Sequence, residues 1–431
     1  MTKYTIIIFI IVVNIIFSQT AEEISNLIES NKLEEAESKL ISSLDVDPNN
    51  AEINYLLSKV YYAKYDLMNT GKFLRAAIEN DNTNQDYRDE FDNLSPLSQS
   101  WATAMKSLQG GDFDGAINNF ETIKVEFPDF LAPATYHIGI VYSRLNDNSN
   151  AIQLYKESVE IDPNYDKAIK TLSNTAKKTY NEGNKSYKRG DYEGAEQFYQ
   201  EVIELNPNEH RAYYMLANVY TRLGDTEMAI DYFNQTVEVN PQYEKGWFSL
   251  GLNYQKNGDI NEALSSLDKA IEVNPSYAKA IAQKGKIYMQ EADYEMAENS
   301  FNQAIQVDPS YASAYVDLGQ ILNTQERWDD AFNSLSTATA LDSKKNKAWF
   351  LLAQSQNAKG LCDDAKESSR VALDLKSDYA PALFELGLAE VCLGNKTAAL
   401  AAFENARKNR SWRKNAEYEI DKIKNPEKYQ Q

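Results

Sequence analysis

Few residues in this chain could do acid–base, nucleophilic or metal chemistry. Among 431 residues there are only two histidines, His137 and His210, and two cysteines, Cys362 and Cys392. No His/Cys grouping has the spacing of a metal site. No glycine-rich stretch has the form of a phosphate loop or a dinucleotide fingerprint. Carboxylates abound, but pairs such as Asp329-Asp330 and Asp363-Asp364 open apolar-periodic segments. There they favour a helix dipole rather than proton transfer. The sequence therefore reads as non-enzymatic, with no cofactor and no metal. One covalent step remains, the oxidation of Cys362 with Cys392. A bridge needs Cα atoms within about 7 Å. The spacing admits that bridge, and it equally admits two small residues filling helix packing.

A fixed period dictates the elements that carry these residues. Ala195, Ala229, Ala263, Ala297, Ala331, Ala365 and Ala399 recur every 34 residues. That interval is the mark of a helix–turn–helix array. In the stretch 244–277, Trp247, Leu250, Gly251 and Tyr254 fall on one helix. Ala263, Leu267 and Ala270 fall on a second, and Pro275 closes the unit. The apolar spacing is i, i+3, i+4, and no segment alternates like a strand. With each unit numbered 1–34, position 20 is alanine in ten of eleven units, Thr70 being the exception. Glycine-acid turns such as Gly224-Asp225 and Gly258-Asp259 stop one helix and start the next.

The pattern Trp247, Leu250-Gly251, Tyr254, Ala263, Pro275 resembles the tetratricopeptide repeat. The resemblance implies an all-α solenoid of about eleven units in a right-handed superhelix with a C-terminal capping helix. The units fall at 21–50, 51–84, 97–130, 132–165, and then without interruption from 176 to 413. The period breaks at 85–96 and at 166–175. The first break reads as a short helix ended at Ser95-Pro96, with Pro96 opening the next helix. The second reads as one long helix from about Asp166. The expected divisions are a signal peptide over 1–18, an N-terminal block over 19–96 and a middle pair with linker helix over 97–175. A regular array over 176–413 and a cap and tail over 414–431, frayed from Asn425, complete the chain.

Composition sets the setting. A formal charge of −20 disfavours nucleic acid and anionic membranes as partners. Residues 1–20 carry Lys3, an apolar run to Phe17 interrupted by Asn14, and Ser18 as a small cleavage residue. This is the form of a secretory signal. The run is short for a membrane span, which needs roughly 20 apolar residues. The protein is expected to be exported, to periplasm or extracellular space, with an uncleaved N-terminal anchor as the alternative.

In the resembled family, the first helices of successive units line a concave groove that holds peptide segments. Positions 2, 5, 6, 9, 12 and 13 usually face it. Over residues 176–311 those positions include the cations Lys177, Arg211, Arg222, Lys245, Lys256, Lys279 and Lys286. They include the aromatics Tyr180, Tyr187, Tyr214 and Phe248, and the amides Asn181, Asn184 and Asn218. None of the 24 positions is Asp or Glu, against 64 acidic residues in the chain. The resemblance thus implies a peptide-binding face whose charge opposes that of the whole molecule. Such a face suits an acidic or extended partner segment. The two-carboxylate clamp of chaperone-binding family members is incomplete: Asn184 and Lys245 match it, but Tyr180, Met215 and Ser249 do not. A cell-envelope assembly factor that can self-associate, or a recognition subunit for a separate enzyme, are the alternative readings.

Overall fold

The computed structural model describes residues 21–429, and every regular element among them is helical. The signal-peptide expectation for 1–18 lies outside the described residues. Contacts divide the chain into two compact units, one running to residue 182 with 201–207, the other holding 183–200 and everything from 208 onward.

The first unit contains α1 (21–29), α2 (Leu33–Val46), α3 (Ala51–Ala63), α4 (Leu67–Asn80), α5 (Gln85–Gly110) and α6 (Phe113–Glu126). A 3-10 turn (Pro128–Phe130) leads into α7 (Leu131–Arg144) and α8 (Asn148–Ile161). The long helix α9 (Asp166–Arg189) passes from the first unit into the second at residue 183, and α10 (Tyr192–Leu205) is divided between them at residue 201. The second unit continues through α11 (His210–Leu223), α12 (Thr226–Val239), α13 (Glu244–Asn257), α14 (Ile260–Val273), α15 (Ala278–Gln290) and α16 (Tyr294–Val307). It ends with α17 (Ala312–Thr324), α18 (Trp328–Leu341), α19 (Asn346–Ala358), α20 (Cys362–Leu375), α21 (Ala380–Cys392), α22 (Lys396–Ala406) and α23 (Arg413–Lys424).

The repeat pattern works through close contact inside each helix pair. All seven 34-spaced alanines are 0% exposed. Thr70, at the same position, is also buried, and its hydroxyl donates to the Asp66 carbonyl at 2.7 Å. Position 8 faces the side chain at position 24 of the same unit. A Cβ on Gly319 would lie 2.4 Å from Leu335 Cγ, and one on Gly285 would lie 2.8 Å from Phe301. Only glycine lets these helices approach so closely.

The turn between paired helices needs one left-handed residue at position 15. Six units supply glycine there, as at Gly258 with φ +95°, and five supply Asn31, Tyr65, Asn146, Ala292 or Glu326. The next residue is often aspartate, and Asp112, Asp225 and Asp293 accept from backbone amides three residues on. This satisfies one orphan donor at each helix start. Second helices stop where the residue before position 32 turns extended, as at Asn240 before Pro241 and Asn274 before Pro275. Proline disfavours the α region for its predecessor. Asp342 stops before Ser343 in the same way, its carboxylate accepting from the Lys344 amide at 3.1 Å.

Two expectations are corrected. Residues 85–96 do not form a separate helix, because α5 runs unbroken for 26 residues with Pro96 inside it. Proline removes one hydrogen bond from the ladder. The buried stripe Tyr87, Leu94, Leu97, Ala104 and Leu108 continues across it and holds the helix together. The tail also does not fray at Asn425. Pro426–Lys428 make a 3-10 turn, and the Tyr429 hydroxyl donates to Asp421 at 2.7 Å while its ring meets Tyr418.

Candidate functional site

Lys177, Tyr180 and Asn181 belong to the first unit, and the other candidate residues belong to the second. In the second unit the first helices of successive pairs touch one another directly, α15 on α17, α17 on α19 and α19 on α21. Their exposed sides therefore share a face.

Side-chain contacts from one unit to the next trace that face. Arg222 Nε donates to the Tyr187 hydroxyl at 3.3 Å. The Tyr214 hydroxyl lies 3.4 Å from Ser249 Oγ. Gln283 donates to Gln255 at 2.6 Å, and Gln255 donates to Gln290 at 2.8 Å. Tyr214 is fixed edge-on between Phe233 and Tyr243, and Phe248 packs on Tyr277. These rings are pre-positioned, which lowers the entropy lost on binding. Asn184 accepts from the Tyr199 hydroxyl at 2.9 Å, and Asn218 donates to its own helix at Tyr214. Both amides thus spend part of their capacity inside the protein.

The cations differ among themselves. Lys245, Lys256 and Lys279 are exposed and enter no ion pair among the described residues. Arg211 is held bidentately by Glu209, at 2.7 Å from each guanidinium nitrogen. That partner keeps the Glu209 carboxyl below its ordinary range. Lys286 sits 3.6 Å from Asp317, which also accepts from Lys347 at 3.1 Å. Asp317 occupies position 6 of the next unit, and its side chain is only 10% exposed. The positive face therefore meets an internal carboxylate at its C-terminal end. Reading the same six positions into the last three units would have found Asp317 and Glu385.

Glu385 is buried, and burial pushes its carboxyl up to about 7, against the Asn357 amide that donates to it. His137 is likewise buried. Its ring lies between Trp101 and Phe120, its Nδ1 donates to the Pro133 carbonyl at 2.7 Å, and burial lowers its pKa to about 4. His210 sits at the start of α11 against Tyr243. Cys362 and Cys392 are joined in a disulfide with Cα atoms 5.9 Å apart, tying the start of α20 to the end of α21. Among the described residues, no group of three His, Cys, Asp or Glu side chains could hold a metal ion, and no helix is long and apolar enough to cross a membrane.

Comparison with known proteins agrees with this architecture. Tetratricopeptide-repeat models match residues 132–171, 210–243 and 244–277, and a further repeat model of the same kind matches 183–224 and 285–325. No curated protein sequence matches the chain. Among solved structures, MamA is 24% identical over 38% of this chain and 96% of its own, with a TM-score of 0.35. YrrB, a tetratricopeptide repeat protein with an unusual peptide-binding site, is 18% identical over 43% of this chain and 95% of its own, with a TM-score of 0.36. The C-terminal part of a repeat protein from Cytophaga hutchinsonii is 16% identical over 55% of this chain and 97% of its own, with a TM-score of 0.45. Such scores leave the assignment to the repeat models and to the in-phase pattern of turns, glycines and alanines. On that evidence the chain belongs to the tetratricopeptide repeat family, a scaffold for protein–protein interaction.

Proposed function

We propose that this protein is an exported scaffold that captures an acidic, extended segment of a partner protein on the first-helix face of α11, α13 and α15. One observation carries the reading. Lys245, Lys256 and Lys279 are exposed and, among the described residues, without ion pairs on a face that also presents Tyr214 and Phe248, in a chain of net charge −20. Unpaired cations beside fixed rings supply charge and rigid contact area to a carboxylate-bearing segment. The Cys362–Cys392 disulfide supports an oxidising compartment, as does the signal-like segment 1–18.

The test is a capture experiment on envelope extract with the chain from Gln19. It compares the wild type with the Lys245→Glu, Lys256→Glu, Lys279→Glu variant. A partner lost from the folded variant alone supports the face. A partner held equally by both moves the interaction to another surface and favours the assembly-factor reading. Deleting residues 1–18 should retain the protein in the cytoplasm; export without them would overturn that part of the proposal.

A further inference from the structure

The first unit holds a cavity of about 1070 Å³ that the proposed function does not use. Its walls come from the α2 start, the α3–α4 turn, Trp101 of α5 and the 162–167 segment. Four rings border it: Tyr61, Tyr65, Trp101 and Tyr165. Six carboxylates and three ammonium groups line it. The lining thus carries more carboxylates than ammonium groups; Lys64 is held by Glu34 and Glu37, and Glu35 and Asp166 pair with Lys39 and Lys170 outside it. Met68, at the edge, is 80% exposed and offers an apolar contact.

Two features mark the cavity as more than a gap between helices. Tyr165 borders it and is only 3% exposed, yet its hydroxyl has no hydrogen-bond partner among the described residues. A buried hydroxyl left unpaired costs about 1–3 kcal/mol, so such groups usually have a partner. Tyr65 holds the left-handed position that the turn of every unit requires, at φ +57°, and that turn aims its side chain at the 162–167 segment. Its hydroxyl reaches across to Asp162 at 2.8 Å, and its ring stands edge-on to Tyr165 at 5.3 Å.

We infer that this cavity binds a cationic side chain, lysine or arginine, carried with a neighbouring apolar residue on an extended segment of a protein partner. The ammonium or guanidinium lies against the ring faces, which attract cations. It donates to the Tyr165 hydroxyl and is neutralised by the carboxylates at the rim. Met68 receives the apolar neighbour. The first unit thus reads the opposite charge from the face proposed on the second.

The test uses the full chain and two labelled octapeptides, one alternating lysine with leucine and one alternating glutamate with leucine, followed by fluorescence anisotropy. The lysine peptide should bind and the glutamate peptide should not compete with it. Glu34→Gln with Asp166→Asn, both exposed rim residues, should weaken the lysine peptide about tenfold or more. Tyr165→Phe removes a hydroxyl with no internal partner, so it should leave the melting temperature unchanged or raised while weakening the peptide about threefold or more. Glu227→Gln with Glu295→Gln, exposed acids of the second unit, controls for overall charge. So does the Lys245→Glu, Lys256→Glu, Lys279→Glu variant. If the control acids matter as much as the rim pair, the attraction is general and the cavity is not the site. Unchanged binding by Tyr165→Phe and by the rim pair overturns it equally. A dimer that the lysine peptide dissociates would make the occupant a second copy and overturn the choice of partner.

Discussion

Asp317→Asn separates a charge-reading face from an incidental run of lysines. The Asp317 carboxylate lies 3.6 Å from Lys286 Nζ and 3.1 Å from Lys347 Nζ, and its side chain is 10% exposed. At an effective dielectric of about 20, a unit pair at about 4 Å is worth roughly 4 kcal/mol. The lysines are 37% and 45% exposed, so solvent screens each pair towards the exposed range of about 0.2–1 kcal/mol. Losing both pairs should therefore lower stability by about 1–2 kcal/mol. The same change releases two ammonium groups onto the face. If each recovers about 0.5–1 kcal/mol against a ligand carboxylate, affinity for an acidic peptide rises about five- to thirtyfold. The assay pairs urea unfolding with anisotropy of the labelled glutamate–leucine peptide at low and at physiological salt. Stability and affinity should move in opposite directions, with the affinity gain shrinking as salt rises. A folded Asp317→Asn protein with unchanged or weaker peptide binding would refute the placement of Lys286 in the binding face.

The two units should respond oppositely to acid. His137 has a folded pKa of about 4 against 6.5, so the unfolded chain takes its proton first; the first unit loses up to about 3 kcal/mol as pH falls from 6.5 to 4. Glu385 has a folded pKa of about 7 against 4.5, so its favourable term is full below 4.5 and is lost as pH rises through 7; the second unit should be up to about 3 kcal/mol more stable at pH 4.5 than at pH 8. Hydrogen exchange of α7 and α21 at these pH values reads both, and His137→Phe and Glu385→Gln should each flatten one profile. Replacing both cysteines by serine opens a link between residues 30 apart in sequence. By loop entropy it removes at most about 3–4 kcal/mol. Faster exchange should appear in α20 and α21 and not in α12, since repeats couple mainly to neighbours. Gly319→Ala forces a Cβ to 2.4 Å from Leu335 Cγ and should cost about 1–3 kcal/mol. Leu335→Ala in the same chain should recover part of that loss, and purely additive losses in denaturant melts would contradict the contact.

Sequence reasoning succeeded where the deciding contact is local to one unit. Alanine at position 20, glycine at position 8 and the left-handed residue at position 15 each answer to a neighbour at a fixed offset. Periodicity exposes them where glycine or alanine stands at the repeat position, whereas the left-handed Tyr65 and Glu326 came to light only in the structure. The long α9 was legible for the same reason, because nothing between Asp166 and Gly183 breaks a helix. Pro96 misled because proline's local penalty was weighed without the buried stripe from Tyr87 to Leu108 that overrides it. The tail misled because Tyr429 is anchored by Asp421 and Tyr418, which polar composition does not announce.

The binding surfaces were less legible because their sign is set between units. Lys286 is cationic in sequence, but its field is cancelled by a carboxylate 31 residues on, at a position the reading of four repeats did not reach. Arg211 is similarly committed to Glu209. The cavity of the first unit depends on Tyr65 meeting Asp162, a contact spanning 97 residues that no repeat position encodes. A repeat consensus fixes what each helix pair must bury, and it leaves the exposed first-helix positions free to vary. Function in such an array resides at those free positions, where one substitution from the next unit can expose or cancel a charge. On α13 and α15 the candidate cations that survive this cancellation, Lys245, Lys256 and Lys279, are fewer than the sequence offers there, and binding should depend on them more sharply than on the number of basic residues along the face.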